Sequence, residues 1–493
     1  MKNKNAFPIL LLASAFVISG CNNNKVTSSS YDGGDSSISS SSLEPAGSSS
    51  TSSSGNPSTS SSIPSGGDEK DEVVVEMDPM IKIGEGVTPY QLSFQYEDDY
   101  FLSSAKTYNK DLSMLSFGAS VATATKERGT KFFTDIDFKN ITPHSYETDP
   151  TKDSIGYFLA HKTIGDYELV AASFRGFNYG QEWANNFTIG KTGDHEGFSA
   201  RGQEVYQELQ SYINTYAKNK SLKLWINGYS RGGAISNVLS SLILKGDKVS
   251  VTQENMFVYT FEAPTSLSEE NAVAYENVHN ITNEADLVAS IPPESYGLKR
   301  CGVDYQIYDA NVSALLKEFD EEIDLPAFIP VSAVGANNGD REVLTFLLNQ
   351  VFNKEEDPSS DPTIYANTRE QYVDNYQEGL SSAIGYIFAL SSETRSELIA
   401  ALKEQATDII GDQTGEKLYL FIKDYLDKDN IPYEDEKLRS DCATLLKAVG
   451  NLFGMILIYY YLSSDFANDL TRLITMHYPE TAYVLLKNAH IKQ

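Results

Sequence analysis

The string Gly228-Tyr229-Ser230-Arg231-Gly232-Gly233 lies between a short apolar run, Leu222 to Asn227 (LKLWIN), and a segment from Arg231 to Leu244. In that segment Ile235, Val238, Leu239 and Leu242 recur at helical spacing. A strand that hands over to a helix through so short a string must turn sharply. Small residues two before and two after the apex let strand and helix approach, and Gly228 and Gly232 occupy those positions. A serine at such an apex has its hydroxyl lifted clear of the sheet, as a nucleophile requires. The flanking elements carry the weight, because GxSxG alone arises by chance in a chain this rich in Gly and Ser. The plain alternative is a tight glycine turn without chemistry.

The surrounding pattern supports a layered fold. Tyr100 to Thr125 reads as helix through Leu112, Leu115, Ala119 and Ala122. Ile155 to Ala160 and Tyr167 to Phe174 read as strands of a hairpin turning at Gly165-Asp166. Phe198 to Tyr216 reads as helix, and Phe257 to Phe261 and Val278 to Thr282 as further strands. Strands alternating with helices predict an α/β fold with mostly parallel central strands.

A serine nucleophile needs a base, and the base needs an orienting carboxylate. In α/β-hydrolases, which carry such a serine on a strand-to-helix turn, the chain order is serine, acid, histidine. Of the six histidines only His477 and His490 follow both Ser230 and a plausible acid, and His490 is the fourth residue from the end of the sequence. Elimination favours His477, with an ordinary loop histidine as the alternative. The acid should lie just beyond a later strand. Asp286, after Val278 to Thr282, is best placed; Glu262 lies one strand earlier, and Glu284 is too close to Asp286 to separate by spacing.

Several blocks then resemble class 3 lipases of the α/β-hydrolase superfamily. They are Ser173-Phe174-Arg175-Gly176-Phe177, Asp194-His195-Glu196-Gly197-Phe198, the Gly228 to Gly233 string, Tyr259 to Pro264, Asn283 to Val288 with Ile291-Pro292-Pro293, and His477-Tyr478-Pro479-Glu480. The resemblance covers about residues 102–302 plus the last 25 or so. It implies an α/β-hydrolase fold, Ser230 as nucleophile, Asp286 as acid and His477 as base. It also implies an oxyanion hole from the backbone N–H groups of Phe177 and Arg231, and ester hydrolysis through an acyl-serine without a cofactor. The sequence departs from the family at Phe177, where Thr or Ser is usual, and at Tyr229 and Arg231, where His and Leu are common. Backbone donors survive both changes. Arg231 could meet an anionic group on a substrate, but pairing with one of the chain's many carboxylates is the favoured reading. His195 precedes the nucleophile and reads as structural, with no metal assigned to it.

About residues 303–465 read as a large helical cap inserted before the histidine, with helix-like runs at Arg395 to Ile410, Glu416 to Leu426 and Leu438 to Tyr461. Its apolar stretch Asn451 to Leu462 reads as a buried cap helix in preference to a membrane-inserting lid. Cys301 and Cys442 could bridge core to cap or remain two buried thiols.

The N-terminus carries a different message. Lys2 and Lys4 precede the apolar run Phe7 to Ile18, and Ser19-Gly20-Cys21 follows. The run is too short to span a bilayer but fits an export signal, and the residues before Cys21 resemble the lipobox of bacterial lipoproteins. An ordinary signal peptide is the alternative. About residues 22–73 are Ser-rich, with too few apolar side chains to offset the entropy of ordering. Fifty such residues would reach roughly 40 Å.

The expected organisation is therefore a signal at 1–20, lipidated Cys21 and tether at 21–73, and core at 74–302. The cap at 303–465 and a C-terminal core segment at 466–493 complete it. The expected partners are an ester or lipid substrate and a bacterial membrane, met from its extracytoplasmic side through the lipid anchor. With 39 Lys+Arg against 68 Asp+Glu, the formal net charge of −29 excludes nucleic acid. Two other readings stay open: a disabled hydrolase fold used for binding, and the same triad acting on peptide or thioester bonds.

Overall fold

The computed structural model describes residues 71–81, 87–146, 151–323, 368–462, 475–488 and 491, apart from single positions at 178, 219, 287, 293, 310, 411 and 413. The signal, Cys21 and most of the tether lie outside the described residues. So do 324–367 and 463–474, and so do the side chains of the apolar stretch 451–462.

Strands β1 (Asp71–Met77) and β2 (Tyr90–Tyr96) form an antiparallel hairpin of their own. Then come β3 (Lys139–His144), β4 (Tyr157–Ile164), β5 (Tyr167–Phe174), β6 (Ser221–Tyr229) and β7 (Met256–Phe261). After the short β8 (Leu267–Ser268), β9 (Val278–Asn283), the short β10 (Leu298–Lys299) and β11 (Val303–Ile307) complete the series. β8 pairs with β10 alone, and the main sheet has seven strands in the order β11-β9-β7-β6-β5-β4-β3. The run from β5 to β11 is parallel; β3 and β4 are antiparallel additions at one edge. β3 contains Pro143, which an edge strand tolerates because one side of its backbone needs no partner.

The central strands are apolar on both faces because helices cover both sides of the sheet. On β6, Trp225 enters one core while Leu224 and Ile226 enter the other. The Trp225 side packs against α1 (Lys110–Ala122) and α2 (Lys126–Asp135), and the indole N–H donates to Ser116 Oγ at 2.8 Å. Asn109 starts α1 by accepting the N–H groups of Asp111 and Leu112, satisfying two donors that a helix start leaves open. The opposite face carries α3 (Glu196–Tyr216) and α4 (Arg231–Lys245), packed against each other through Val205, Leu209, Ile235 and Val238. This is the α/β-hydrolase arrangement.

Two boundaries differ from expectation. β1 begins at Asp71, inside the expected tether, because Val73, Val75 and Met77 alternate into the core. The expected cap starts too early. Residues 303–307 form β11, hydrogen-bonded in parallel to β9, and α5 (Val312–Phe319) buries Val312 and Leu316 in the core. The described helical insertion is 368–462, a one-turn helix Arg369–Tyr372 with its continuation, then α6 (Glu378–Ala389), α7 (Ser392–Ile410), α8 (Glu416–Lys428) and α9 (Asp435–Leu462). These share an apolar centre of their own around Ile387, Phe388, Leu398, Ile422 and Leu438. The chain returns to the core in α10 (Pro479–Asn488). Cys301 and Cys442 are both buried free thiols, one in the sheet core and one in the cap centre, so no bridge joins them. No described helix is long and apolar enough to cross a membrane.

Candidate active site

Ser230 stands at the junction of β6 and α4 with φ 51° and ψ −122°, a left-handed conformation costly for any residue with a Cβ. The surroundings hold it there. The Ser230 N–H donates to Phe261 O at 2.7 Å, tying the turn to β7. A Cβ on Gly228 would lie 2.3 Å from the Gly232 carbonyl carbon, and one on Gly232 would lie 2.7 Å from Phe174 O. The two glycines are thus the condition for the close strand–helix approach read from the sequence. Gly176 is tighter still, since its Cβ would come 1.9 Å from Tyr229 O. Gly176→Ala is therefore expected to cost about 3 kcal/mol or more, because rigid backbone must move to admit the methyl. Denaturant titration, with the midpoint falling at unchanged slope, checks this.

Asp286 lies just past β9, fully buried, with its Oδ1 accepting the Val288 N–H at 2.7 Å. His477 arrives from far along the chain. Its loop is held by backbone contacts: Tyr229 Oη donates to His477 O at 2.6 Å, and Asn283 Nδ2 donates to Met476 O at 3.2 Å. The ring then donates from Nδ1 to Asp286 Oδ2 at 2.6 Å and accepts the Ser230 hydroxyl at Nε2 at 2.8 Å. The three residues chosen from chain order therefore meet in one hydrogen-bonded line. That line has the geometry of an activated nucleophile, base and orienting carboxylate.

Phe177 and Arg231 lie on either side of Tyr229-Ser230, the one packed against Tyr229 and the other next in the chain. Phe177 follows the end of β5, its ring 5.9 Å from that of Tyr229, and Arg231 opens α4 directly after Ser230. Among the described residues neither N–H donates to a backbone oxygen outside regular elements. The Arg231 side chain is 1% exposed. Its Nε donates to Asn186 Oδ1 at 3.1 Å and its Nη1 lies 3.6 Å from Glu182 Oε2. Glu182 also receives Arg175 Nη2 at 2.5 Å, so one buried carboxylate faces both guanidinium groups. His195 caps α3, accepting the Phe198 N–H at Nδ1, and its Nε2 lies 3.2 Å from Asn186 O. Burial pushes its pKa down to about 3, which keeps it neutral in its structural place. Among the described residues no group of His, Cys, Asp and Glu could hold a metal ion.

A cavity of about 240 Å³ opens onto Ser230 and His477. Its walls come from Tyr179, Trp183 and Phe187 after β5, from Val288 and Tyr296 after β9, and from Tyr372 and Leu380 of the cap. Trp183 stacks on Phe388 of α6 with ring centroids 6.2 Å apart. Sequence reasoning missed this aromatic wall, although the Tyr179-to-Phe187 stretch directly follows the Arg175-Gly176 block. It also missed Arg369, whose contacts span some 175 residues and leave no local pattern.

Residues 171–296, which hold the serine and the acid, match the family model described as lipase (class 3). That stretch of the chain is similar to the class 3 lipase family. Over 159 residues it is 28% identical to a lipase of Rhizomucor miehei, a match covering 29% of this chain and 44% of that one. The chain thus spans less than half the length of this curated relative. Solved structures similar to it include a triacylglycerol lipase described as having a serine protease triad (21% identity, 42% of this chain and 83% of that one, TM-score 0.33). Another is the lipase of Rhizopus microsporus var. chinensis (17% identity, 40% and 74%, TM-score 0.29). The class 3 lipase match ends at 296, so the cap and His477 lie beyond it.

Proposed function

We propose that this chain is a serine carboxylic-ester hydrolase of lipase type, working through an acyl-serine intermediate. The observation that carries the reading is the continuous Ser230–His477–Asp286 line opening into an apolar cavity. In this reading His477 Nε2 takes the Ser230 proton as Oγ attacks the ester carbonyl, then returns it to the departing alkoxide. Asp286 keeps the ring in the tautomer that can accept at Nε2 and stabilises the imidazolium. The N–H groups of Phe177 and Arg231 serve the developing oxyanion, where fixed donors act most strongly. Water, activated by the same histidine, releases the acid.

The cavity gives the reading a size. At about 240 Å³ it lies below the usual range of small-molecule pockets, and the cap helps to wall it. It suits a short or medium acyl chain better than a long one. Across p-nitrophenyl esters from acetate to palmitate, kcat/KM is expected to peak at short to medium length and to fall at least about tenfold at palmitate. A steady rise to palmitate would show that long chains are the substrate and that the cavity opens to take them.

The location belongs to the same proposal. The basic start, the Phe7-to-Ile18 run and Ser19-Gly20-Cys21 support export and lipidation at Cys21, and the Ser-rich stretch supports a tether holding the catalytic unit off the membrane. Loss of membrane partitioning in Cys21→Ala, with hydrolysis retained, tests that part by itself.

A further inference from the structure

A second buried carboxyl group stands against the triad. Glu262 follows β7 with φ 49° and its side chain is fully buried. Its Oε2 accepts the Asn283 N–H at 2.8 Å, while its Oε1 has no donor. The neighbouring polar group is the Asp286 carboxyl, within hydrogen-bonding reach. Two buried carboxylates side by side with no donor between them cannot both stay ionised, so a proton must be shared there. Asp286 already receives two hydrogen bonds, from Val288 N and His477 Nδ1, whereas Glu262 receives one. The negative charge is therefore better held on Asp286 and the proton on Glu262.

We propose that Glu262 is kept as the neutral acid and donates a hydrogen bond to Asp286, making it a positioning residue for the triad carboxylate. The proposal rests on the reading of Asp286 as the catalytic acid and adds a group to that site. The other charged and titratable groups facing this pair are accounted for. Arg300 spends its guanidinium on Ala263 O, Ala289 O and the Asp304 carboxylate, Tyr229 and His477 are engaged as above, and Glu480, whose carboxyl pKa burial lifts to about 7, acts on Tyr229 and is common to all the variants compared. Burial raises the Glu262 carboxyl well above the usual range, the neighbouring Asp286 charge adds to this, and Arg300 opposes it. A donor on Asp286 spreads that group's charge, so the imidazolium of His477 is held less tightly than by a bare carboxylate.

The test compares wild type, Glu262→Gln and Glu262→Ala by the pH dependence of kcat/KM. Glutamine keeps a neutral donor, so the acid limb should stay within about 0.3 pH units, while alanine should raise it by about one unit and lower kcat. A glutamine limb displaced downward by a unit or more would mean that Glu262 is ionised in the wild type, and an unmoved alanine limb would mean that it positions nothing; either overturns the proposal. Thermal unfolding from pH 5 to 8 supplies a readout without turnover. In the unfolded chain Glu262 ionises near about 4.3, but in the folded chain it stays neutral. Wild-type stability should therefore fall with rising pH relative to Glu262→Gln, and the Tm gap should widen in favour of glutamine. A constant gap contradicts the shared proton. If the wild type hydrolyses no ester yet the gap widens, the proposed function fails while the carboxyl pair stands.

Discussion

His477→Ala is expected to lower kcat by about a millionfold, as loss of a triad base does when nucleophile and base act as one unit. The fold should survive the change. The histidine loop is held through its backbone, by the Tyr229 hydroxyl on His477 O and by Asn283 on Met476 O, and neither contact involves the imidazole. Ser230→Ala should cost about as much, because the two side chains share one hydrogen bond. Asp286→Asn should cost about ten thousandfold, since an amide cannot hold the ring in the tautomer that leaves Nε2 free to accept. The free energies should not add; the Ser230→Ala/His477→Ala double variant should be no slower than either single one. The measurements are kcat on a short-chain ester and Tm on the same preparations. A large fall in Tm with only modest loss of rate would instead mark His477 as a structural residue.

Arg369→Ala is expected to loosen the cap by about 3 kcal/mol while leaving the sheet intact. The guanidinium is nearly buried and donates to five backbone carbonyls, those of Ile189, Gly190, Thr192, Gly193 and Asp194. Removing it leaves several of those acceptors without a donor in a site water reaches poorly, at about 1–3 kcal/mol for a buried unsatisfied group. The same seam is closed by Tyr372 Oη on Phe187 O at 2.9 Å, by Gly190 N–H on Gln377 Oε1 at 2.8 Å and by Ser381 Oγ on Ala184 O at 2.9 Å. The effect should thus be confined to cap and seam. Amide hydrogen exchange should quicken across 378–448 and around 181–194, with β5, β6 and β7 unchanged. Because Tyr372 and Leu380 wall the cavity, KM should rise more than kcat falls. Unaltered exchange in the cap would show that the guanidinium is not what holds it.

These two expectations mark what the sequence could and could not disclose. The β5-to-β9 series was readable because central parallel strands are apolar runs, and the helices between them carry a clear stripe. The Ser230–His477–Asp286 line was readable because chain order left only two histidines for the base, and His490 lies almost at the end of the sequence. The β1–β2 hairpin was not, since the valine run Val73 to Val75 hides the alternation that buries only Val73 and Val75. β11 was mistaken for cap because five residues, VDYQI, show too short a pattern to separate a last edge strand from an insertion. Arg369 and the aromatic wall depend on packing between distant segments. Glu262 is legible as an alternative acid from its place after a strand, but its contact with Asp286 exists only once β7 and β9 lie side by side.

Whether Ser230 is an activated nucleophile is read out by labelling with a serine-reactive fluorophosphonate. Stoichiometric labelling of the wild type at Ser230 is expected, with much slower labelling of His477→Ala and none of Ser230→Ala. A wild-type protein that is folded yet resists the reagent, or a Ser230→Ala protein that labels equally well, would contradict it.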